Sequence, residues 1–574
     1  MNAQYQKWLT DPFFDEATRA ELAAIAGDGK EIDDRFGKEL EFGTGGLRGV
    51  LGAGLNRMNR YTVRRATQGL ADYIVKNGME KAGVAIAYDS RRMSAEFAEE
   101  TALCLAANGI PAYVFDALRP TPELSFAVRF LHCAAGVVVT ASHNPPEYNG
   151  YKVYWADGAQ ITPPRDAEII ACVRAVPGFS AARTMDKAAA AGAGVYRVIG
   201  GEIDGEYLSA VKRQSLHPEI IKKAASGLRI VYTPLHGTGN VPVRRLLREL
   251  SFEQVYVVPQ QEAPDPEFTT LASPNPEDPR AFTLALKLAR EKNADLVLAT
   301  DPDADRLGVY APGGRSGEYI PFTGNMSGVL IAAYCLGEHQ RLNLMPENPA
   351  VVKTIVTTRM LDAVAEKYGV ACFDTLTGFK YIGEMIRRFE ETGAHHFVFG
   401  MEESYGCLCG THARDKDAVT AAAMLCEAAA FYKEKGMTLW DQMLALYDEF
   451  GFFRETLCTV TQKGADGALK IMRTMDALRQ APPREIAGLK VLETEDYQRG
   501  ERVKRDGQRT PLSLPKSNVL RFLLEGGAWC CIRPSGTEPK IKFYMGVRGD
   551  SLPDADEKLE RLKKALMALA GEGE

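Results

Sequence analysis

Three times along the chain a short apolar run ends abruptly in a loop crowded with polar side chains. Gly136–Thr140 (GVVVT) leads into Ala141-Ser142-His143-Asn144-Pro145. Asp295–Ala299 leads into Thr300-Asp301-Pro302-Asp303-Ala304-Asp305-Arg306. Phe397–Phe399 leads into Gly400-Met401-Glu402-Glu403-Ser404-Tyr405-Gly406. Runs this short read as strands, and in parallel sheets ligand loops lie beyond the carboxyl ends of strands. Elsewhere helical periodicity alternates with short β-branched runs, which predicts an α/β fold. Val63–Lys76, Ser94–Asn108, Arg280–Lys292 and Ala418–Lys433 are predicted helices; Val84–Tyr88, Arg229–Tyr232 and Val351–Val356 are predicted strands. The three strand-then-loop units look like one fold used three times. A fourth run, Ala528–Ile532, precedes Arg533-Pro534-Ser535-Gly536-Thr537-Glu538-Pro539, and Ala555–Leu569 reads as an amphipathic helix with Leu559, Leu562, Leu566 and Leu569 on one side.

The expected architecture is three similar mixed-sheet α/β domains plus a smaller C-terminal α+β domain around a central active-site cleft. The boundaries fall at 1–203, 204–320, 321–452 and 453–574, with the Ala/Gly-rich stretch Ala188–Gly194 as a linker. A chain of 574 residues agrees with four domains at about 150 residues each. Its formal charge of −6 makes it a poor nucleic-acid binder, so any anion it handles must meet locally gathered cations. No run of about 18 apolar residues suggests a membrane span. Met1–Arg19 lacks a cationic segment followed by an apolar one, which reads as no secretory signal. Eleven cysteines without paired C-x-x-C spacing read as reduced thiols of a cytoplasmic protein.

Asp301, Asp303 and Asp305 alternate, so in an extended segment their carboxylates share one side. Three carboxylates repel unless a divalent cation lies among them. A calcium EF-hand would need Gly and Glu where Arg306 and Pro312 stand, so oxygen-only ligation favours Mg²⁺. Ser142, after a strand and before Pro145-Pro146, is held in place, and a serine beside Mg²⁺ can carry a phosphoryl group. By itself, however, S-x-N-P is ordinary turn chemistry. No G-x-S-x-G surrounds Ser142, which argues against an α/β-hydrolase.

Thr140-Ala-Ser-His-Asn-Pro-Pro146, followed by Asn149-Gly-Tyr-Lys152, closely resembles the serine loop of the α-D-phosphohexomutases, the phosphoglucomutase/phosphomannomutase superfamily. Asp301–Arg306 resembles that family's metal loop, Gly400–Gly406 its sugar-binding G-E-E-S loop, and Arg533–Pro539 its phosphate loop. Together the four motifs cover about residues 40 to 545 in family order. The resemblance implies that Ser142 is phosphorylated and passes its phosphoryl group to a hexose monophosphate. The resulting bisphosphate reorients and returns the other phosphate. It implies Mg²⁺ on Asp301, Asp303 and Asp305, with the phosphoserine at Ser142 supplying a further oxygen.

The same resemblance places Arg306 and Arg48 (in Gly43-Thr-Gly-Gly-Leu-Arg-Gly49) near the transferring phosphate, and Lys152 and His143 as candidates for handling the hydroxyl proton. His143 suits orienting the loop. Glu402 and Ser404 match sugar contacts; Lys380 matches a substrate lysine; Arg533, Ser535, Gly536 and Thr537 match the clamp on the second phosphate. The E-E-S-Y form resembles glucose-acting members. It implies interconversion of glucose 1- and 6-phosphate, with glucose 1,6-bisphosphate as intermediate and activator. Phosphomannomutase and phosphopentomutase or bisphosphate-synthase activities stand as alternatives. A Mg²⁺-dependent phosphohydrolase and a non-catalytic sugar-phosphate sensor are the readings from other classes. A monomer acting on a hexose phosphate, with no nucleic acid or membrane, is expected. Pro302 stands where many members have glycine, and Met401 where many have glycine or another residue.

Overall fold

The structure is a computed structural model that describes residues 2–42, 45–313, 317–462, 465–535 and 540–569. The chain forms two compact units. One comprises Met1–Gly324, Phe379–Gly400 and Ser404–Leu439; the other comprises Asn325–Gly378, Met401–Glu403 and Trp440–Glu574.

In the first unit a six-stranded sheet runs in the order Gly46–Val50, Tyr148–Trp155, Ala135–Val139, Val84–Tyr88, Ala112–Phe115 and Tyr196–Ile199. The last four strands are mutually parallel; Tyr148–Trp155 returns antiparallel beside Ala135–Val139, and Gly46–Val50 pairs antiparallel with it. Side chains of Val84–Tyr88 alternate between faces. Val84 and Ile86 join Val63, Leu70, Ile74 and Phe97 of the helices Arg60–Lys76 and Ser94–Ala107, while Ala85 and Ala87 join Leu124, Ala127 and Val128 of Thr121–Phe130. A sheet covered on both faces needs continuous apolar strands, which is why Ala135–Val139 is apolar throughout.

A five-stranded sheet repeats this plan: Glu318–Phe322, Leu307–Gly313, Leu296–Thr300, Ile230–Thr233 and Val255–Val257. The last three are parallel, and Leu307–Gly313 returns antiparallel beside Leu296–Thr300. In both sheets the polar loop therefore joins a buried parallel strand to its antiparallel neighbour. His396–Glu402 similarly turns at 403–405 into Gly406–Cys409.

In the second unit Pro349–Thr354 pairs parallel with Ala371–Thr375. An antiparallel sheet follows the order Phe452–Thr461, Lys540–Gly549, Trp529–Pro534, Leu520–Leu524, Leu489–Asp496, Glu501–Lys504 and Arg509–Pro511. The helix Leu552–Leu569 packs Ala555, Leu559, Leu562 and Leu566 into its core. Leu569, expected on that side, is 41% exposed because it ends the helix. The linker expected at Ala188–Gly194 is instead the helix Lys187–Gly192, capped by Asp186, and leads into the edge strand Tyr196–Ile199. Alanine favours helix wherever a cap is supplied, so Ala-rich composition alone did not mark a boundary.

Candidate functional site

The serine loop is held from below by a buried cation. Arg91, 3% exposed, donates to the carbonyl oxygens of Ser142 (2.5 Å), Pro145 (2.8 Å) and Tyr148 (3.2 Å), and also to that of Asn144. Asp89 lies 3.3 Å from its guanidinium, and the ring of Phe268 5.0 Å from it. Ser142 has φ +51°, with its amide donating to Thr140 Oγ1 at 2.8 Å. Ala304 of the acidic loop (φ +51°) and Tyr405 of the third loop (φ +65°) share this left-handed backbone. Non-glycine residues hold it only where surroundings over-determine it, and such strain clusters at functional sites.

Ser142 Oγ donates to Asp301 Oδ2 at 2.8 Å and lies 3.2 Å from His143 Nδ1. The other oxygen of Asp301 accepts the amides of Asp305 and Arg306, both at 3.1 Å, which curls the acidic loop around it. Asp301, Asp303 and Asp305 are buried, with one oxygen of each within 4.8 Å of the others. Lys152 Nζ is 2.7 Å from Asp303 and 3.5 Å from Asp305, and Thr121 Oγ1 donates to Asp303 at 2.9 Å. Lys416 Nζ is 3.1 Å from Asp305. Arg306 pairs with Glu277 at 2.5 Å, and Arg48 donates to Asn144 at 3.2 Å. Arg48 reaches this place from a strand whose Gly46 (φ +137°) lies against Tyr151: a Cβ there would be 1.7 Å from the Tyr151 carbonyl oxygen.

Burial and the charges of Asp303 and Asp305 push the Asp301 carboxyl far above the usual range. Burial acts on Asp303 too, but Lys152 overrides it and holds that carboxyl low; burial and Asp303 act on Asp305, where Lys416 and Lys152 prevail. Burial works against the Lys152 ammonium, yet Asp303 and Asp305 raise its pKa. Burial, then Arg306 and Arg48, hold His143 far below its ordinary value, as a neutral imidazole. Asp303 Oδ1 and Asp305 Oδ1 are buried without a hydrogen-bond partner. Orphaned carboxylate oxygens in an all-oxygen cluster suit a hard divalent cation.

Ser404 also lies in the first unit, beside Tyr405, whose carbonyl accepts the amide of Leu307 at 2.9 Å and so joins the third loop to the acidic loop. Lys380 is on the helix Phe379–Thr392; burial pulls its pKa down against Asp166 and Glu384. Glu402 and Arg533 belong to the second unit. There Glu403 accepts from Thr354 (3.1 Å) and Thr357 (3.3 Å), and burial followed by the charge of Glu402 pushes its carboxyl up to about 7. Met401 is fully buried; its Cε fills the place of a side chain at Gly328, 2.4 Å from where a Cβ would be, which makes it a packing residue. The Ser535 amide donates a hydrogen bond to the Lys540 carbonyl at 2.7 Å, and Gly536 and Thr537 lie outside the described residues.

Sequence reasoning missed Arg91, Thr121, Glu277 and Glu403. Lys416 stands in the Arg414-Asp-Lys-Asp417 stretch, to which the sequence assigns no role.

Family models match in chain order. They are phosphoglucomutase/phosphomannomutase α/β/α domain I at residues 39–177, domain II at 205–314, domain III at 323–450, and the C-terminal domain at 474–567. The chain belongs to the phosphoglucomutase/phosphomannomutase family. Its three α/β domains and C-terminal domain are those of a phosphohexomutase. A phosphoglucomutase of Staphylococcus aureus (strain bovine RF122 / ET3-1) is 38% identical over 536 residues, covering 93% of this chain and 94% of that protein. One from Staphylococcus haemolyticus (strain JCSC1435) is 36% identical, covering 91% and 93%. The solved structure of a candidate phosphomannomutase from Thermus thermophilus is 25% identical with a TM-score of 0.67, covering 92% of this chain and 99% of that one. No described helix of this phosphohexomutase is long and apolar enough to cross a membrane.

Proposed function

We propose that this enzyme is a phosphoglucomutase that interconverts α-D-glucose 1-phosphate and glucose 6-phosphate through a phosphoserine at Ser142 and glucose 1,6-bisphosphate. The observation that carries it is the hydroxyl of Ser142, 2.8 Å from a buried three-aspartate cluster flanked by Lys152, Lys416 and Arg306. The relatives named phosphoglucomutase support the choice of sugar. Asp301, Asp303, Asp305 and the phosphoserine would hold Mg²⁺, which when bound neutralises charge on the transferring phosphoryl group.

In the transfer, the bond from phosphorus to Ser142 Oγ breaks as one to the sugar oxygen forms, and a proton passes from the sugar hydroxyl to Ser142 Oγ. Lys152 is assigned this proton: held as ammonium by Asp303 and Asp305, it is in the form that protonates the oxygen losing phosphoryl, and the sugar hydroxyl restores its charge. Neutral His143 orients the serine, while Arg48 and Arg306 stabilise the phosphoryl oxygens. Glu402 and Ser404 hold sugar hydroxyls. Lys380, Arg533, Ser535, Gly536 and Thr537 hold the non-reacting end. We further propose the division 1–203, 204–320, 321–452 and 453–574, which the family matches support, and a cytoplasmic monomer.

The test is incubation with glucose 1-phosphate, Mg²⁺ and a trace of glucose 1,6-bisphosphate, assaying glucose 6-phosphate and inorganic phosphate. Isomer without phosphate release is expected. Phosphate without isomer would make the chain a phosphohydrolase, and no turnover would make it a sensor.

Arg91→Met is expected to lower kcat by about 10²-fold while leaving KM for glucose 1-phosphate within a fewfold, because misplacing a nucleophile by an ångström costs that much. The same change leaves Asp89 and four carbonyls without their cation, so the melting temperature falls as well. If kcat stays normal in the folded variant, the serine loop does not need this cradle.

A further inference from the structure

The C-terminal sheet carries a cleft of about 430 Å³ that the proposed reaction does not use. Its lining comes from the end of the helix Ala465–Gln480, the segment 482–484, the strands Leu489–Asp496, Glu501–Lys504 and Arg509–Pro511, Arg499 and the first residue of the strand Leu520–Leu524. The strand Leu520–Leu524 separates the other three strands from the hairpin that carries Arg533, so the cleft is not the phosphate loop. Its volume is in the range of small-molecule sites.

Six cations line it: Arg479, Arg484, Arg499, Lys504, Arg505 and Arg509. The three carboxylates there, Glu493, Asp496 and Glu501, already have partners. Arg502 is 3.4 Å from Glu493, Arg479 and Arg499 are each 3.4 Å from Asp496, and Arg509 is 2.9 Å from Glu501. Arg484 and Lys504 are exposed and have no side-chain hydrogen bond or ion pair among the described residues, and Arg505 spends its guanidinium on the carbonyls of Arg484 and Val491 at 3.3 and 3.5 Å. On a chain of net charge −6 this is a local excess of positive charge in a concave site.

Two further features narrow the ligand. Asp496 is 5% exposed, and its Oδ2 accepts no hydrogen bond although Arg499 Nε lies 3.4 Å away, so the cleft holds a buried acceptor that a hydroxyl would satisfy. Pro482, Pro483, Val503 and the 41% exposed Leu492 add an apolar wall. A bare anion would use only the cations.

We propose that this cleft binds a nucleoside polyphosphate. Its phosphates are met by Arg484 and Lys504, its ribose hydroxyl by Asp496, and its base by the proline and leucine wall. Calorimetric titration of ADP into the full chain, with the reaction site saturated by glucose 1,6-bisphosphate, tests this. Saturable binding is expected. Arg484→Glu with Lys504→Glu should weaken it by about tenfold or more while turnover of glucose 1-phosphate stays unchanged. The proposal is overturned if ADP shows no saturable binding at millimolar concentration, if the bisphosphate abolishes it, or if the double reversal leaves it intact. It is equally overturned if inorganic pyrophosphate binds as tightly as ADP, which would leave a bare anion site.

Discussion

Ser142→Ala is expected to abolish the phosphoenzyme and to lower turnover of glucose 1-phosphate by several orders of magnitude. The reason is geometric before it is chemical. Ser142 is held at φ +51° by a loop whose carbonyls are gathered on Arg91, and its Oγ is directed to Asp301 at 2.8 Å. The nearest other hydroxyl of the loop, Thr140 Oγ1, already accepts the Ser142 amide. Removing Oγ removes the atom that accepts the phosphoryl group, and nothing in the loop is positioned to replace it. Intact-mass measurement after incubation with glucose 1,6-bisphosphate would show the phosphoryl adduct on the parent chain and none on the variant. Near-normal turnover by Ser142→Ala with bisphosphate present would remove the phosphoserine from the mechanism. Because alanine keeps the fold at this small buried position, an unchanged melting temperature is the control.

Chelation by EDTA is expected to stop turnover, with Mg²⁺ restoring it. The charges of the site explain why the metal and the phosphoserine belong together. Asp301, Asp303 and Asp305 face the cations Lys152, Lys416 and Arg306, so the cluster is near balance before any phosphoryl group arrives. A phosphoserine adds about −1.5 to −2 charges at pH 7. A dication restores the balance, and Asp303 Oδ1 and Asp305 Oδ1, which accept no hydrogen bond, are the oxygens that would receive it. The expected consequence is that Mg²⁺ binds the phosphorylated chain more tightly than Ser142→Ala, by about tenfold or more, since binding at coupled sites is reciprocal. A Mg²⁺ titration of both forms reads this directly. Equal affinity would uncouple the aspartates from the serine, and full turnover in a metal-free preparation would deny the cluster its role.

The strands and helices were legible because their signals are local. Val84–Tyr88 has the predicted bounds, and Ser94–Ala107 and Ala418–Glu434 differ from them by a residue. Arg60–Lys76 begins three residues before the apolar periodicity does, because Asn59 and Thr62 form a capping box there. Asp301, Asp303 and Asp305 were legible as a cluster because alternation in an extended loop puts them on one side. Arg91 was not. It lies in Asp89-Ser-Arg-Arg92, where a charge usually faces water, and the serine loop arriving over it, with Asp89 beside it, makes a buried guanidinium favourable. Lys416 showed as charge without a destination until the structure placed it on Asp305.

By itself the sequence determined the α/β class, the loops that end its strands and the residue types those loops carry, since each depends on neighbours within a few positions. The tertiary structure alone decided which charges meet. Ser142 reaches Asp301 across 159 positions, and Lys152 reaches Asp303 across 151. Such encounters follow from sheet order and strand register, in which a shift of one residue turns a side chain to the opposite face.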